Sequence, residues 1–466
     1  METADVIVVG AGPAGLFVAA DLAEAGFDVA VLDRRGPEQS NLTRAFVVGP
    51  RTLEQFDARG IADELVATGS RLTSMRLYRR LWIDFAPMPT RFPYQLITPQ
   101  YETEAVLRAR AIRAGVRFAW RTEVTGLSQD DARVRITTAS GQRWRASYLV
   151  GADGSHSTVR EAVGEAFPGR VAVRSMMLAD VRFTAPPDAV LRSDANRSGF
   201  AFHVPFGDGW HRVIAWNRAD DRPAGAPLDP EDVSTMLRRV FGTDYGMHET
   251  RWLSRFRADE RQVARYRIGR VFLVGDAAHV HTPAGAQGMN TGLQDAANLG
   301  WRLAAGLHGH AGPEVLDGYQ RERHPVAARV IRGSGDLMRA ALTASPWLRA
   351  LRLARLGGLS GRWPAPKPVA AAVAGIGIRY PAPPGAHPAV GRRVPDLPLT
   401  GRGRLYAALR GGRFVLVSKG GRRAGRHPWR GPVTEVVSAT RLEADLLVRP
   451  DGHLAWAAPP DRAATT

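Results

Sequence analysis

The sequence predicts an α/β fold, and three observations carry that prediction. An apolar, β-branched run (DVIVV, residues 5–9) leads into a glycine-rich turn and a helix, the order of a buried parallel strand and its crossover. Two later runs, YLVG (148–151) and RVFLVG (270–275), repeat the short buried strand. Between residues 172 and 268, stretches such as RSMMLADVRF, GFAFHVPF and HRVIAWN alternate apolar and polar positions, as antiparallel strands do.

The first forty residues are the most specific. After the strand comes GAGPAG, which places Gly10, Gly12 and Gly15 at G-x-G-x-x-G spacing. A helix follows (LFVAADLAEAG, closed by Gly26), then a second strand (DVAVLD) ending on Asp33. Gly10 permits the tight turn, Gly12 lets the backbone approach a pyrophosphate, and Gly15 lets helix pack close on strand. The helix N-terminus offers free N–H groups and a positive dipole end to the phosphates. Asp33, 18 residues after Gly15, is placed to accept from ribose hydroxyls. Arg34 and Arg35 follow it, either as a 2′-phosphate site or as solvated surface arginines. The unit predicts a Rossmann-type dinucleotide site but does not choose between FAD and NAD(P).

Two later segments bear on that choice. YLVGADGSHSTVR (148–160) is a strand ending in Asp153-Gly154 and leading into a Ser/Thr-rich helix start. RVFLVGDAAHVHTPAGAQGMNTGLQDAANLGWRLAA (270–305) is a strand ending at Gly275-Asp276, a loop with Pro283, Gly285 and Gly288, and a long helix. An acid at a strand end can hold sugar-alcohol hydroxyls. A glycine-flanked helix start aims N–H groups at a group that becomes negative, such as the N1–C2=O edge of reduced flavin.

On these motifs the chain resembles the single-component FAD-dependent aromatic hydroxylases related to para-hydroxybenzoate hydroxylase. It is most similar to the actinobacterial branch of aromatic-polyketide hydroxylases and rifampicin monooxygenase. TRAFVVGPRTLEQFDARGI (43–61) and PQYETEAVL (99–107) match further segments of that branch, and VGRRVPDL, GGRFVLV and VRPDGHLAW resemble its C-terminal domain. The resemblance implies a Rossmann-type FAD-binding domain with an inserted antiparallel-sheet substrate domain and a small thioredoxin-like C-terminal domain. The expected division is 1–70, 99–171 and 269–345 for FAD, 71–98 and 172–268 for substrate, 346–384 for a helix and linker, and 385–466 for the last domain.

The resemblance also implies roles. Gly10, Gly12 and Gly15 would meet the FAD pyrophosphate, and Asp33 the adenosine ribose, with Arg34 beside it. Arg44 and Gln100 would contact the phosphates or ribityl chain, and Asp276 the ribityl hydroxyls. Gly288, Met289 and Asn290 would meet the isoalloxazine, Pro283 would line the oxygen pocket, and Asp153 would serve FAD and the nicotinamide together. Thr282, Ala284 and Ala286 depart from the branch's usual HPPxGGQG loop but keep its turn glycines. The implied reaction takes NADPH (or NADH) and O2 and hydroxylates a bulky aromatic or polyketide-type substrate through a flavin C4a-hydroperoxide. A Baeyer–Villiger or antibiotic-inactivating oxygenation shares that machinery, and a non-oxygenating flavin-binding partner is the reading from another class. For the substrate domain, Trp82, Phe85, Phe202 and Trp216 are candidates for the lining, against the alternative that they are sheet core. Tyr94 and His203 are candidates to assist phenol deprotonation.

Composition sets limits. The 466 residues carry 63 Lys+Arg and 45 Asp+Glu, a formal +18, and all but two of the basic residues are arginine. Residues 1–330 hold 41 basic and 38 acidic side chains, and residues 331–466 hold 22 and 7, so the surplus lies in the tail. No specific nucleic-acid partner is expected from it. Cysteine is absent, which excludes disulfides, thiolate metal sites and flavin tethered through sulfur. The two lysines, Lys367 and Lys419, lie in the tail, away from where a flavin-dependent halogenase carries its active-site lysine. No 18-residue uncharged apolar run is present, and the N-terminal segment lacks a positive n-region, so a cytoplasmic chain is expected. The sequons at Asn41 and Asn196 then carry no weight. His279 and His281 read as loop hydrogen-bonders, and no metal site is expected. Gly333-Ser334-Gly335 and Gly375-Ile376-Gly377 read as turns, so no second nucleotide unit is present. The basic stretch LRALRLARL (348–356) reads as a helix packed on the FAD domain, and a homodimer is a possible partner arrangement.

Overall fold

The computed structural model describes residues 1–38, 45–187, 190–206, 208–357, 364–401, 403–418 and 427–458. Val6–Val9 is fully buried and pairs in parallel with Val29–Asp33 on one side and Tyr148–Gly151 on the other. Arg117–Trp120 and Val271–Leu273 extend this sheet in parallel, and Arg267–Ile268 closes one edge antiparallel. Because five strands run the same way, their carboxyl ends share one edge of the sheet. The helix Pro13–Glu24 begins there, and the helix Gly288–Leu307 packs against it. Two glycines make the turn possible. Gly10 has φ +104°, and a Cβ on it would lie 2.4 Å from the Ala152 carbonyl oxygen. A Cβ on Gly15 would lie 2.0 Å from the Gly10 carbonyl oxygen.

The alternating segments form a second six-stranded sheet, antiparallel throughout. Its order is Arg192–Ala195, Gly199–Pro205, His211–Asn217, Gly169–Phe183, Met247–Gln262 and His279–Val280. Register decides which face each side chain takes. Phe202 sits opposite Ile214, and His203 opposite Val213. Ala201, Val213 and Ala215 pack with Val233, Met236 and Leu237 of the helix Pro230–Phe241, while Phe200, Ile214 and Phe256 face the other way. That helix has strong end signals: Asp229 closes a capping box with Asp232, and Gly242 ends it in the left-handed region. With a helix on one face and a cavity wall on the other, both faces of the sheet are apolar.

Of the two glycine pairs read as turns, one is a turn and the other is not. Gly333-Ser334-Gly335 lies inside the helix Glu314–Leu342 rather than in a turn. A Cβ on Gly335 would come within 2.3 Å of Glu260 Oε1, so the glycine serves close packing of helix on sheet. Gly375 caps the helix Lys367–Ala374 with φ +73°.

The tail forms a four-stranded sheet, with Phe414–Ser418 central, Val433–Val437 parallel to it, and Leu446–Val448 and Leu454–Ala457 antiparallel beyond. Its arginines engage carboxylates of the first part of the chain. Arg393 Nε donates to Glu54 at 2.7 Å, Arg404 to Asp57 at 2.6 Å and Arg449 to Glu322 at 2.8 Å. Glu54, Asp57 and Arg449 are all buried, so part of the tail's positive surplus is spent inside the molecule rather than on its surface.

Candidate active site

A single cavity of about 1020 Å³ runs from the carboxyl edge of the parallel sheet to the antiparallel sheet. At one end stand Gly10, Gly12, Asp33 and Arg34, with Gln100 beside them; Asp153 and Asp276 follow, and Pro283, Gly288 and Met289 line the far part. These residues come from five separate segments, brought together because each follows a strand of the same sheet or a loop against it. A Cβ on Gly12 would meet nothing within 4 Å, so that glycine keeps open a cradle at the helix start.

The carboxylates are held, not free. Asp33 Oδ2 accepts from the Ala11 N–H at 2.6 Å and Oδ1 from the Arg35 N–H at 2.7 Å, so the residue also buttresses the glycine turn. Asp153 accepts from the Val159 N–H at 3.0 Å and from the Ser157 hydroxyl, and burial raises its carboxyl above the ordinary value against those bonds. Asp276 is exposed toward the cavity. Gln100 donates to Glu104 at 2.7 Å, and burial pushes the Glu104 carboxyl upward.

The loop before the long helix rests on a buried polar cluster. His279 Nε2–H donates to Asp295 at 2.6 Å, and Arg323 Nε donates to the other oxygen of Asp295 at 2.6 Å. Burial alone would raise Asp295, but Arg323 and His279 more than offset it and hold its carboxyl below the usual range. His281 lines the cavity with its Nδ1 2.8 Å from the Thr282 carbonyl oxygen, and burial holds its pKa at about 4, a neutral imidazole near pH 7.

Several expected site residues stand elsewhere. Gly15 packs beneath the turn rather than facing the cavity. The Asn290 side chain is occupied, accepting from the Gly49 N–H at 2.8 Å and donating to Val47 at 3.0 Å and to Ala286 at 2.9 Å, so it fixes the wall rather than forming it. His203 is on the far face of the antiparallel sheet, packed among Phe183, His211, Phe241 and Tyr245, with burial lowering its pKa to about 3. It cannot reach a substrate in the cavity. Tyr94 is in the core of the parallel-sheet lobe beside Phe92 and Arg71, because it immediately precedes the strand Gln95–Ile97 and packs on the side of Leu96. Phe85 is wholly buried, and Trp82 lies under the Arg76 guanidinium, 5.2 Å from its ring centre. Phe202 and Trp216 are on the cavity's side of the sheet but one layer back: Phe202 contacts Phe46, which lines the cavity, and Trp216 stacks on Phe200. Arg44 lies outside the described residues.

Sequence reasoning missed the residues that make the apolar wall, Phe46, Ile214 and Phe256, and two polar ones, Glu104 and Arg160. Arg160 ties two cavity segments, donating to Ser155 at 3.0 Å and Ala277 at 3.2 Å. Glu104 had a signal, since it is one helical turn after Gln100.

A glycine turn, a ribose-ready acid and a long cavity on a parallel sheet, with a second sheet as far wall, define a dinucleotide-dependent enzyme of the flavoprotein class. The FAD binding domain family matches residues 3–334, and the family described as aromatic-ring hydroxylase, C-terminal, matches residues 387–466. The chain belongs to the FAD-dependent aromatic-ring hydroxylases, and it is a flavin monooxygenase with FAD as cofactor. It is 37% identical to the 12-dehydrotetracycline 5-monooxygenase/anhydrotetracycline 6-monooxygenase of Streptomyces rimosus, covering 98% of this chain and 96% of that one. To the rifampicin monooxygenase of Streptomyces venezuelae it is 37% identical, over 97% of this chain and 95% of the other. The solved structure of the OxyS anhydrotetracycline hydroxylase from Streptomyces rimosus superposes with a TM-score of 0.85 at 35% identity, covering 99% of this chain and 97% of that chain. No helix among the described residues is long and apolar enough to cross a membrane.

Proposed function

We propose that this chain uses NAD(P)H and O2 to hydroxylate a bulky, polycyclic aromatic compound of the polyketide type. One observation carries the reading: a single cavity of about 1020 Å³ joins the glycine turn to an apolar chamber walled by Phe46, Ile214, Phe256 and Pro283. FAD would take the polar part of that volume, and the apolar end suits the flat hydrocarbon face of a fused-ring aromatic. The names of the relatives, tetracycline and rifampicin monooxygenases, agree with it in substrate size.

In this reading Gly10 and Gly12 would admit the FAD pyrophosphate to the helix start, Asp33 would receive the ribose hydroxyls, and Gln100 and Asp276 would meet the linking chain. Gly288 and Met289 line the cavity at the start of their helix, where the first-turn amides would meet the flavin's polar edge. Held by these residues, FAD would supply the redox chemistry: it would take hydride from the nicotinamide and activate O2, one oxygen atom going to the ring and the other leaving as water. The chain's part is to orient the aromatic face and exclude water, for which Phe46, Ile214, Phe256 and Pro283 supply an apolar lining. Neither Tyr94 nor His203 is placed to take the phenol's proton, because neither lines the cavity. The test is direct. Purified yellow protein is mixed with NADPH and a panel of polyphenolic and polyketide aromatics, and oxidation is followed with mass analysis of the product. At least one compound is expected both to accelerate NADPH oxidation and to gain one oxygen atom. If none in a broad panel does so, the reading fails.

A further inference from the structure

The cluster behind the flavin loop reaches much further than the loop itself. Arg323, wholly buried on the helix Glu314–Leu342, grips three groups: Asp295 through Nε at 2.6 Å, the Thr291 carbonyl at 3.2 Å and the Tyr380 hydroxyl at 3.1 Å. Thr291 is in the first turn of the helix Gly288–Leu307, whose start lines the cavity. Asp295 in turn holds His279, three residues past Asp276 and one before Val280, both cavity residues. On the other side, the Tyr380 ring lies 4.2 Å from the His453 ring, and the Arg449 guanidinium sits 5.2 Å from its centre. Those two residues lie in the turn between the tail strands Leu446–Val448 and Leu454–Ala457, and Asp451 between them accepts from Asn298, on the same helix as Asp295, at 3.3 Å.

We propose that Arg323 is a positioning residue for the flavin edge of the site, and that Tyr380 makes the C-terminal module part of that grip. The physical argument is one of rigidity. A guanidinium fork with three acceptors fixes both the helix start and the segment after Asp276 relative to each other, since moving either would strand a buried charge. The first-turn amides of Gly288–Leu307 favour a negative group in proportion to how closely they are held to it. The module that ends the chain therefore acts on the cofactor without touching the cavity: none of its residues lines it among those described. The inference rests on the flavin's polar edge lying at Gly288 and Met289, as proposed above.

The test uses the holoenzyme of two variants that keep the local charge, Tyr380→Phe and Arg323→Lys. The two-electron midpoint potential of the bound flavin, its visible spectrum, the FAD dissociation constant and the melting temperature are measured together. Looser amides favour reduced flavin less, so the potential falls. A tenfold loss of preference for the reduced form is expected in Arg323→Lys, about 30 mV, with a smaller fall of the same sign in Tyr380→Phe. Loss of FAD affinity at unchanged melting temperature adds support only where it accompanies that fall in potential. Unchanged potentials in both FAD-loaded variants overturn it, and so does a fall in melting temperature and FAD content together without any change in potential. The placement of the flavin is tested separately: Gly288→Val adds bulk at the cavity wall. If that variant binds FAD as tightly and with the same spectrum as the parent, the placement fails, and this inference with it.

Discussion

His203 offers a test in which activity and stability must part company. Its ring is fully buried, neither nitrogen has a hydrogen-bond partner among the described residues, and its pKa falls from 6.5 to about 3. The causes are burial first, then the His211 and Arg192 nearby. The folded protein thus keeps the ring neutral where the unfolded chain protonates it. Between pH 6.5 and 3 the unfolded state binds the extra proton, so this residue costs stability as pH falls. At pH 7.5 the cost is below about 0.1 kcal/mol, and at pH 5 it is about 2 kcal/mol, taking 1.36 kcal/mol per pK unit. His203→Leu removes the titration and the two unpartnered nitrogens, whose desolvation adds about 1–3 kcal/mol at any pH. The variant is expected to be more stable than the parent at pH 7.5, and more so by about a further 2 kcal/mol at pH 5. Guanidinium unfolding followed by tryptophan fluorescence at the two pH values measures both. NADPH oxidation with a productive aromatic should stay within about twofold of the parent, an effect below about 0.5 kcal/mol. A stability gain equal at both pH values would refute the buried neutral ring. A large loss of turnover would refute its placement on the far face of the sheet.

Other outcomes follow from the same geometry. Gly12→Val puts a branched side chain into the open cradle at the helix start, and the purified protein should be colourless, with FAD release after denaturation showing less than a tenth of the parent's content. Phe256→Ala opens the apolar wall; kcat/KM for a productive aromatic should fall about tenfold, or ~1.4 kcal/mol, while the share of NADPH consumed without product rises, read as hydrogen peroxide. Arg393→Met leaves Glu54 with Arg51 alone among its arginines, and a loss of about 3 kcal/mol is expected for breaking one partner of a buried pair. Its signature is faster proteolytic release of the tail at unchanged FAD content in the surviving core.

What the sequence could disclose followed the range of the physics involved. The glycine turn, Asp33 and Asp153 could be placed because each ends or follows a strand of the parallel sheet, and the Pro283–Met289 segment because it leads directly into a long helix. The wall residues could not. Along Gly199–Pro205 both faces are apolar, since the helix Pro230–Phe241 covers the side opposite the cavity, so alternation shows two faces and not which one is the site. His203 and Phe202 are neighbours in sequence and ended on opposite sides for that reason. Tyr94 was misplaced by the same ambiguity at one remove: it immediately precedes the strand Gln95–Ile97 and packs on the side of Leu96. The arginine-rich tail could be weighed but not assigned. Its partners Glu54, Asp57 and Glu322 are hundreds of residues away from Arg393 and Arg404, or more than a hundred from Arg449, and no local pattern joins them.

Those pairings bear on how such enzymes can be recombined. A chimera that grafts another relative's final domain onto this flavin lobe inherits Glu54, Asp57 and Glu322, and around them an apolar patch where Trp301 receives Phe414 and Trp429. A donor without cations at the three matching positions would leave each of these carboxylates short of a partner, with only Arg51, Arg91 and Arg302 of the flavin lobe still facing them. Swapping substrate preference by exchanging domains is therefore an exercise in transplanting a charge pattern along with the fold, and the boundary of the smallest exchangeable piece lies inside the first sixty residues as much as at the end of the chain.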